Sequence, residues 1–172
     1  DMVDNETRSS SNAWLDRQES DVTDHIFRRA ADVTQIGEEL LRHRDIRKID
    51  KATHHSIAES IQLVHYNKTQ EYTPHHDFVL PSVTNRHQGT RFCTLLIYLK
   101  APKEGGETTF PRALQPHRHD GLVVTPEVGK AVLFYNMLPD GNTDDLSIHG
   151  SNAVVKGEKY VANLWIWDPV IN

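Results

Sequence analysis

The hydrophobic pattern changes its period once along the chain. In SDVTDHIFRRAADVTQIGEELLRHR, Val22, Ile26, Ala30 and Val33 recur at steps of three and four residues, the spacing of one apolar helix stripe. Ser20 or Asp21 offers a capping oxygen at the start and Gly37 marks a break, so one or two helices are expected here. After the polar segment HRDIRKIDKATHHS the texture becomes short β-rich runs: IQLVHYN, HHDFVL, RFCTLLIYLK, ETTF, GLVV, KAVLFYN, IHG, AVV and KYVANLWIW. Turn-forming APKEGGE, TPEVGK, LPDGN and VKGEK divide them, with Gly or Pro where a loop needs unusual backbone angles. Helices followed by many strands predict an α+β fold, with N-terminal helices packed on a sandwich or small barrel of mainly antiparallel strands. The polar segment PSVTNRHQGTR between two strand runs is expected to form a mobile loop beside whatever site the strands build.

A chain of 172 residues that is 37% apolar suits one domain with a single sizeable core. The expected division is a helical part over about residues 12–58 and a strand core over about 59–170, both within one domain spanning 1–172. Nineteen basic against twenty-four acidic residues give a net charge of -5 with the positive residues interspersed, which argues against a nucleic-acid partner. No run is long enough to span a bilayer and no signal segment opens the chain. The abrupt start DMVDNETRSSSNAWL is read as that of an N-terminally trimmed chain. Cys93 is the only cysteine; lying in an apolar run, it is expected to be a buried hydrophobe. Asn5-Glu6-Thr7 and Asn67-Lys68-Thr69 fit the glycosylation acceptor pattern.

Candidate chemistry concentrates in EYTPHHDF, residues 71–78. On an extended strand, alternating side chains project His75 and Asp77 to one face and His76 to the other. Together with His149 in LSIHGS, they form a set of two imidazoles and one carboxylate that binds Fe(II) and leaves coordination positions open. Structural zinc is the competing metal, but its sites usually fill all four positions, often with thiolates. The other histidines lack carboxylates at a useful spacing and are read as solvated or structural. Lys159 follows His149 by ten residues and would begin the next strand. Pointed inward, its ammonium needs an anion, because an isolated buried charge is strongly disfavoured.

The runs YNKTQEYTPHHDF, RFCTLLIYL, EGGETTFP, GKAVLFYNMLPDG and SIHGSNAVVKGEKYVANLWIWD resemble, in order and spacing, the catalytic domain of the prolyl 4-hydroxylase family of Fe(II)/2-oxoglutarate dioxygenases. The likeness covers most of residues 59–168. It implies a double-stranded β-helix, or jelly-roll, core and one catalytic domain. It also implies that His75, Asp77 and His149 bind iron, while Lys159, Tyr66 and Thr108 hold 2-oxoglutarate. Tyr72, Arg91, Trp165 and Glu59 fall at substrate positions. The implied reaction is hydroxylation of peptidyl proline to 4-hydroxyproline, with O2 consumed, succinate and CO2 released and ascorbate as reductant. The iron centre would need no separate side-chain acid or base. Two alternatives stay open from the residues: the same chemistry on a free amino acid or another protein residue, and a non-enzymatic β-sandwich binding module. Trp167 is expected to share a face with Trp165 by strand parity.

Overall fold

A computed structural model of the chain describes residues 9–41, 57–80, 89–113 and 121–168. The segment expected to be a mobile loop falls largely outside the described residues, as do His43, His54, His55, His87, His117, His119 and the Asn5 acceptor pattern.

The first regular element among the described residues is a strand, β1 (Ser11–Leu15), within the stretch expected to be helical from about residue 12. Its residues pair antiparallel with β2 (Ile61–Tyr66), and such non-local pairing leaves no trace in local periodicity. Helix α1 (Asp21–Thr34) follows. The Ser20 hydroxyl accepts from the Thr23 backbone N–H while the Thr23 side chain accepts from the Ser20 N–H. This reciprocal box satisfies two of the donors that a helix start leaves orphaned. Gln35, in the left-handed region at φ 58°, ends the helix.

The remaining strands are β3 (Tyr72–His75), β4 (Arg91–Lys100), β5 (Glu104–Gly105), β6 (Thr108–Phe110), β7 (Leu122–Val124), β8 (Ala131–Tyr135), β9 (His149–Ser151), β10 (Val154–Lys156) and β11 (Lys159–Trp167). A large sheet runs β1-β2-β11-β4-β8, a smaller one β3-β9-β6-β7, and β10 pairs with β5. Every strand pairing among the described residues is antiparallel, in keeping with the expected jelly roll.

Strand parity divides the large sheet into two working faces. In β4 and β11, Cys93, Leu95, Ala162, Leu164 and Ile166 join Phe27, Ala30 and Ala31 of α1 in one buried cluster. The alternate residues Leu96, Tyr98 and Val161 pack with Val64, Tyr66 and Val154 in a second cluster. Both faces are covered, which is why RFCTLLIYL reads as a nearly continuous apolar run. The helix face is rotated from the expected stripe: Thr23, Phe27, Ala30 and Ala31 are buried, whereas Val22 and Val33 are 70% and 53% exposed. Phe27 offers more apolar surface than either valine, so burying it determines the facing side. Cys93 is wholly buried and its thiol is pushed up to about 12 by desolvation, consistent with a packing role.

Ser20→Ala should cost about 1 kcal/mol through the lost cap, and Phe27→Ala about 3–5 kcal/mol through the cavity left on the sheet. Urea unfolding of both variants checks the ranking.

Candidate functional site

The inner face of the large sheet and the smaller sheet enclose a cavity of about 240 Å³. His75, Asp77 and His149 meet on its wall, with one ligand atom from each lying within 4.8 Å of the others. His75 Nε2 stands 3.5 Å from Asp77 Oδ1, and His149 Nε2 3.6 Å from Asp77 Oδ2. The two imidazoles are cross-strand neighbours, since His75 pairs with His149 in the β3–β9 ladder. Gly150 permits that approach: a Cβ there would lie 2.9 Å from the Tyr72 carbonyl oxygen and 3.1 Å from the Pro74 nitrogen. Pro74 removes a donor from β3 at the edge of its sheet, where a missing N–H is tolerated.

Each histidine is oriented in the same way. His75 Nδ1 lies 2.9 Å from the Thr73 carbonyl and His149 Nδ1 3.0 Å from the Ser147 carbonyl. A carbonyl only accepts, so Nδ1 carries the proton and Nε2 presents its lone pair to the cluster. Burial lowers the His149 pKa despite the attraction of Asp77, favouring the neutral imidazole that a metal requires. Burial alone would raise the Asp77 carboxyl, but donation from His75 and the charge of His149 when these imidazoles are protonated, together with the Trp165 donor, hold it well below the usual carboxylate range; the neutral, Nδ1-protonated imidazoles are the form a metal selects. Two neutral donors reach Asp77 Oδ2 as well: Thr94 Oγ1 at 2.8 Å and Trp165 Nε1 at 2.9 Å. Asn136 Nδ2 donates to Thr94 Oγ1 at 2.9 Å, which commits the single threonine proton to Asp77.

His75 and Asp77 lie together, as strand alternation predicts, but not on one strand. Strand β3 ends at His75, so Asp77 enters the cluster from the following loop. His76 does not face away: it lines the cavity and its Nε2 lies 3.6 Å from Asp145 Oδ1. Once the chain leaves the pleat, two-residue alternation no longer governs side-chain direction.

Lys159 opens β11 and is 1% exposed. Its Nζ donates to the Gly106 carbonyl and to Ser151 Oγ, both at 2.8 Å, using two of its three N–H donors. The rings of Tyr66 and Tyr98 stand 5.1 and 5.7 Å from the ammonium. Thr108 Oγ1 accepts from the Tyr98 hydroxyl at 2.7 Å. Desolvation lowers the Lys159 pKa to about 7, with Glu107 opposing. Ser151 and Tyr98 escaped the sequence reading. Ser151 had a signal, because it shares strand parity with His149; Tyr98 was hidden in an apolar run.

Tyr72, Arg91 and Trp165 all line the cavity. Tyr72 stacks on His75 with centroids 3.7 Å apart, and the Arg91 guanidinium lies 3.6 Å over the Trp165 ring. Glu59 is not among the lining residues. Its carboxylate accepts from Arg91 Nε and Nη2 at 2.6 and 3.0 Å and from Trp167 Nε1 at 2.7 Å, so it holds the arginine from behind. Trp165 and Trp167 are linked through the Arg91–Glu59 pair, but the ladder shifts register between Ile166 and Trp167 and Trp167 packs against the helix-side cluster, so simple parity does not put the two on one face.

The 2OG-Fe(II) oxygenase superfamily model matches residues 61–167. The chain belongs to that superfamily. It is 34% identical over 176 residues to probable prolyl 4-hydroxylase 10 of Arabidopsis thaliana, covering 95% of this chain and 55% of the relative. Prolyl 4-hydroxylase 5 of the same plant is 33% identical, with 94% of this chain and 54% of the relative covered. The chain thus spans about half the length of these curated relatives. Among solved structures, the viral collagen prolyl hydroxylase of Paramecium Bursaria Chlorella virus-1, a 2OG complex, superimposes with a TM-score of 0.72 at 27% identity, over 94% of this chain and 80% of that one. A Pseudomonas putida prolyl-4-hydroxylase shares the fold, with a TM-score of 0.60 at 14% identity, over 96% of this chain and 76% of that one. As a 2OG-Fe(II) oxygenase, the chain has a donor set suited to its family's metal: two neutral imidazoles and one carboxylate.

Two outcomes follow from this geometry. Thr94→Val removes a donor to Asp77 and should weaken Co(II) binding about ten-fold, in the range for outer-shell partners, while Thr94→Ser retains it; calorimetric titration reads the difference. Lys159 titrates at about 7 when folded against an ordinary 10.5. Between those values the unfolded state binds more protons, so this group makes stability rise with pH over that window. Urea melts from pH 7 to 10 should show a flatter rise for Lys159→Met than for the native chain.

Proposed function

We propose that this domain hydroxylates peptidyl proline at C4, using Fe(II) and 2-oxoglutarate. The observation that carries the reading is one cavity that joins the His75–Asp77–His149 cluster, the buried Lys159 ammonium and the aromatic-cationic group Tyr72, Arg91 and Trp165. Bound together, iron and 2-oxoglutarate supply the oxidising power for hydroxylation, with dioxygen consumed and succinate and CO2 released. The protein binds, orients and excludes water.

In this reading His75 and His149 give their Nε2 lone pairs to the iron and Asp77 gives its carboxylate. Thr94 and Trp165 hold that carboxylate in one orientation. Lys159 binds the distal carboxylate of 2-oxoglutarate through a charge-assisted hydrogen bond, with Tyr66 and Thr108 beside it. The anion restores the lysine proton that burial disfavours, so co-substrate binding takes up a proton above about pH 7. Its affinity falls as pH rises through that range. Arg91 and Tyr72 border the peptide, and Glu59 fixes the Arg91 guanidinium by a two-point contact. An aromatic wall suits a pyrrolidine ring, as proline-rich peptides dock on aromatic grooves in an extended helix. Ascorbate serves as reductant.

Succinate release with Fe(II), 2-oxoglutarate, ascorbate and a proline-rich peptide, together with a mass gain of one oxygen on that peptide, tests the function. His75→Ala and Asp77→Ala should each lower turnover at least about 100-fold by removing a metal ligand, whereas His76→Ala still binds one metal ion. Lys159→Ala should act mainly on the KM for 2-oxoglutarate. Succinate formed only with free amino acids would overturn the peptide assignment.

A further inference from the structure

The Asn67-Lys68-Thr69 acceptor pattern has no part in the chemistry of the cavity. It occupies the turn that joins β2 to β3, and all three residues are exposed. The turn is built without the two side-chain groups that define the pattern. The Asn67 carbonyl accepts from the Gln70 N–H at 3.0 Å, and the Asn67 N–H donates to Gln70 Oε1 at 2.8 Å. The Thr69 N–H donates to the Val154 carbonyl of β10 at 2.8 Å. Backbone groups and Gln70 thus hold the turn. Among the described residues no protein group bonds the Asn67 side-chain amide or the Thr69 hydroxyl.

The backbone adds an independent observation. Thr69 has a φ of 71°, in the left-handed region where a β-branched side chain is a genuine outlier. Glycine takes such a position without steric cost, as Gly105 and Gly157 do in neighbouring turns. The exposed threonine hydroxyl offsets none of the strain through a protein contact, and strain retained in this way points to a use for the side chain. A hydroxyl two positions after a free asparagine amide is what an Asn-x-Thr acceptor requires.

We propose that Asn67 is a site of N-glycosylation, with a lipid-diphosphate-linked oligosaccharide as donor. In the transfer, Asn67 Nδ2 bonds to C1 of the first sugar and the C1–O bond to the diphosphate breaks. The lipid diphosphate leaves with the bonding pair, and the amide nitrogen gives up one proton. This assignment is independent of the reaction proposed above. Asn67 opens onto a surface depression that Lys68, Lys100, Lys103 and Glu158 also line, and their polar heads suit sugar hydroxyls. None of these residues lines the cavity of His75, Asp77 and His149, so the glycan leaves that cavity open and covers outer surface only.

The test expresses the whole gene product, with its own N-terminus, in a eukaryotic secretory host. Tryptic peptides are compared by mass before and after peptide-N-glycosidase treatment in heavy-oxygen water. The peptide that contains Asn67 should be recovered only after release, with a heavy-oxygen aspartate at position 67; the readout is site-resolved, so a glycan at Asn5 does not count. Thr69→Ser should keep the modification, whereas Thr69→Gly and Asn67→Gln should abolish it. In protein made without glycosylation in a bacterial host, Thr69→Gly should raise the urea midpoint, because relief of left-handed strain exceeds the chain entropy that glycine adds, and should leave the KM for 2-oxoglutarate unchanged. Unmodified Asn67 in the native chain, or modification that survives Thr69→Gly, overturns the proposal. A loss of stability in Thr69→Gly shows that the threonine serves the turn and overturns its assignment to the acceptor.

Discussion

Asp77 is a carboxylate enclosed between two sheets, and much of the surrounding architecture keeps that charge tolerable. An unpaired ion in such a place would be neutralised or would destabilise the fold. Here its oxygens face two imidazoles, a hydroxyl and an indole N–H. Each partner arrives from a different strand: His75 from β3, His149 from β9, Thr94 from β4 and Trp165 from β11. The charge can therefore be satisfied only when both sheets are formed and face each other. The site and the fold are the same cooperative object.

Lys159 presents the same problem with the opposite sign. The Gly106 carbonyl and Ser151 hydroxyl partly solvate it, but no carboxylate among the described residues contacts its Nζ in an ion pair, and desolvation depresses its pKa. A buried cation left short of an anion is poised to accept one. A metal-binding cluster and an anion-accepting lysine within one cavity define the ends between which a keto acid fits. Trp165 couples this interior to the surface, since one edge of its indole touches the Asp77 carboxylate and its face carries Arg91.

Sorting residues by face explains why some of the site was legible and some was not. The alternation of β11 assigns Lys159, Val161 and Trp165 to the cavity and Ala162, Leu164 and Ile166 to the helix side, and it can be read directly from KYVANLWIW. Thr94 was legible in principle as the one small hydroxyl-bearing residue in the apolar RFCTLLIYL. Trp14 was not: its stretch looks polar, and its part in the cavity depends on β1 pairing with a strand about fifty positions away. Glu59 was placed near the substrate by resemblance, but its contacts with Arg91 and Trp167 turn it into a brace.

Residue chemistry by itself determined the helix-then-strand order, the antiparallel character, the two-histidine, one-carboxylate donor set and the need of Lys159 for an anion. These are properties of residue type and short-range spacing, which act before any long-range contact forms. Tertiary structure alone decided that Asp77 reaches the cluster from beyond the end of its strand, that His76 turns into the cavity, and which helix face is buried. Those outcomes depend on register and packing between segments far apart in the chain. Local periodicity contains no information about them, because the energy that selects them arises only when the sheets close.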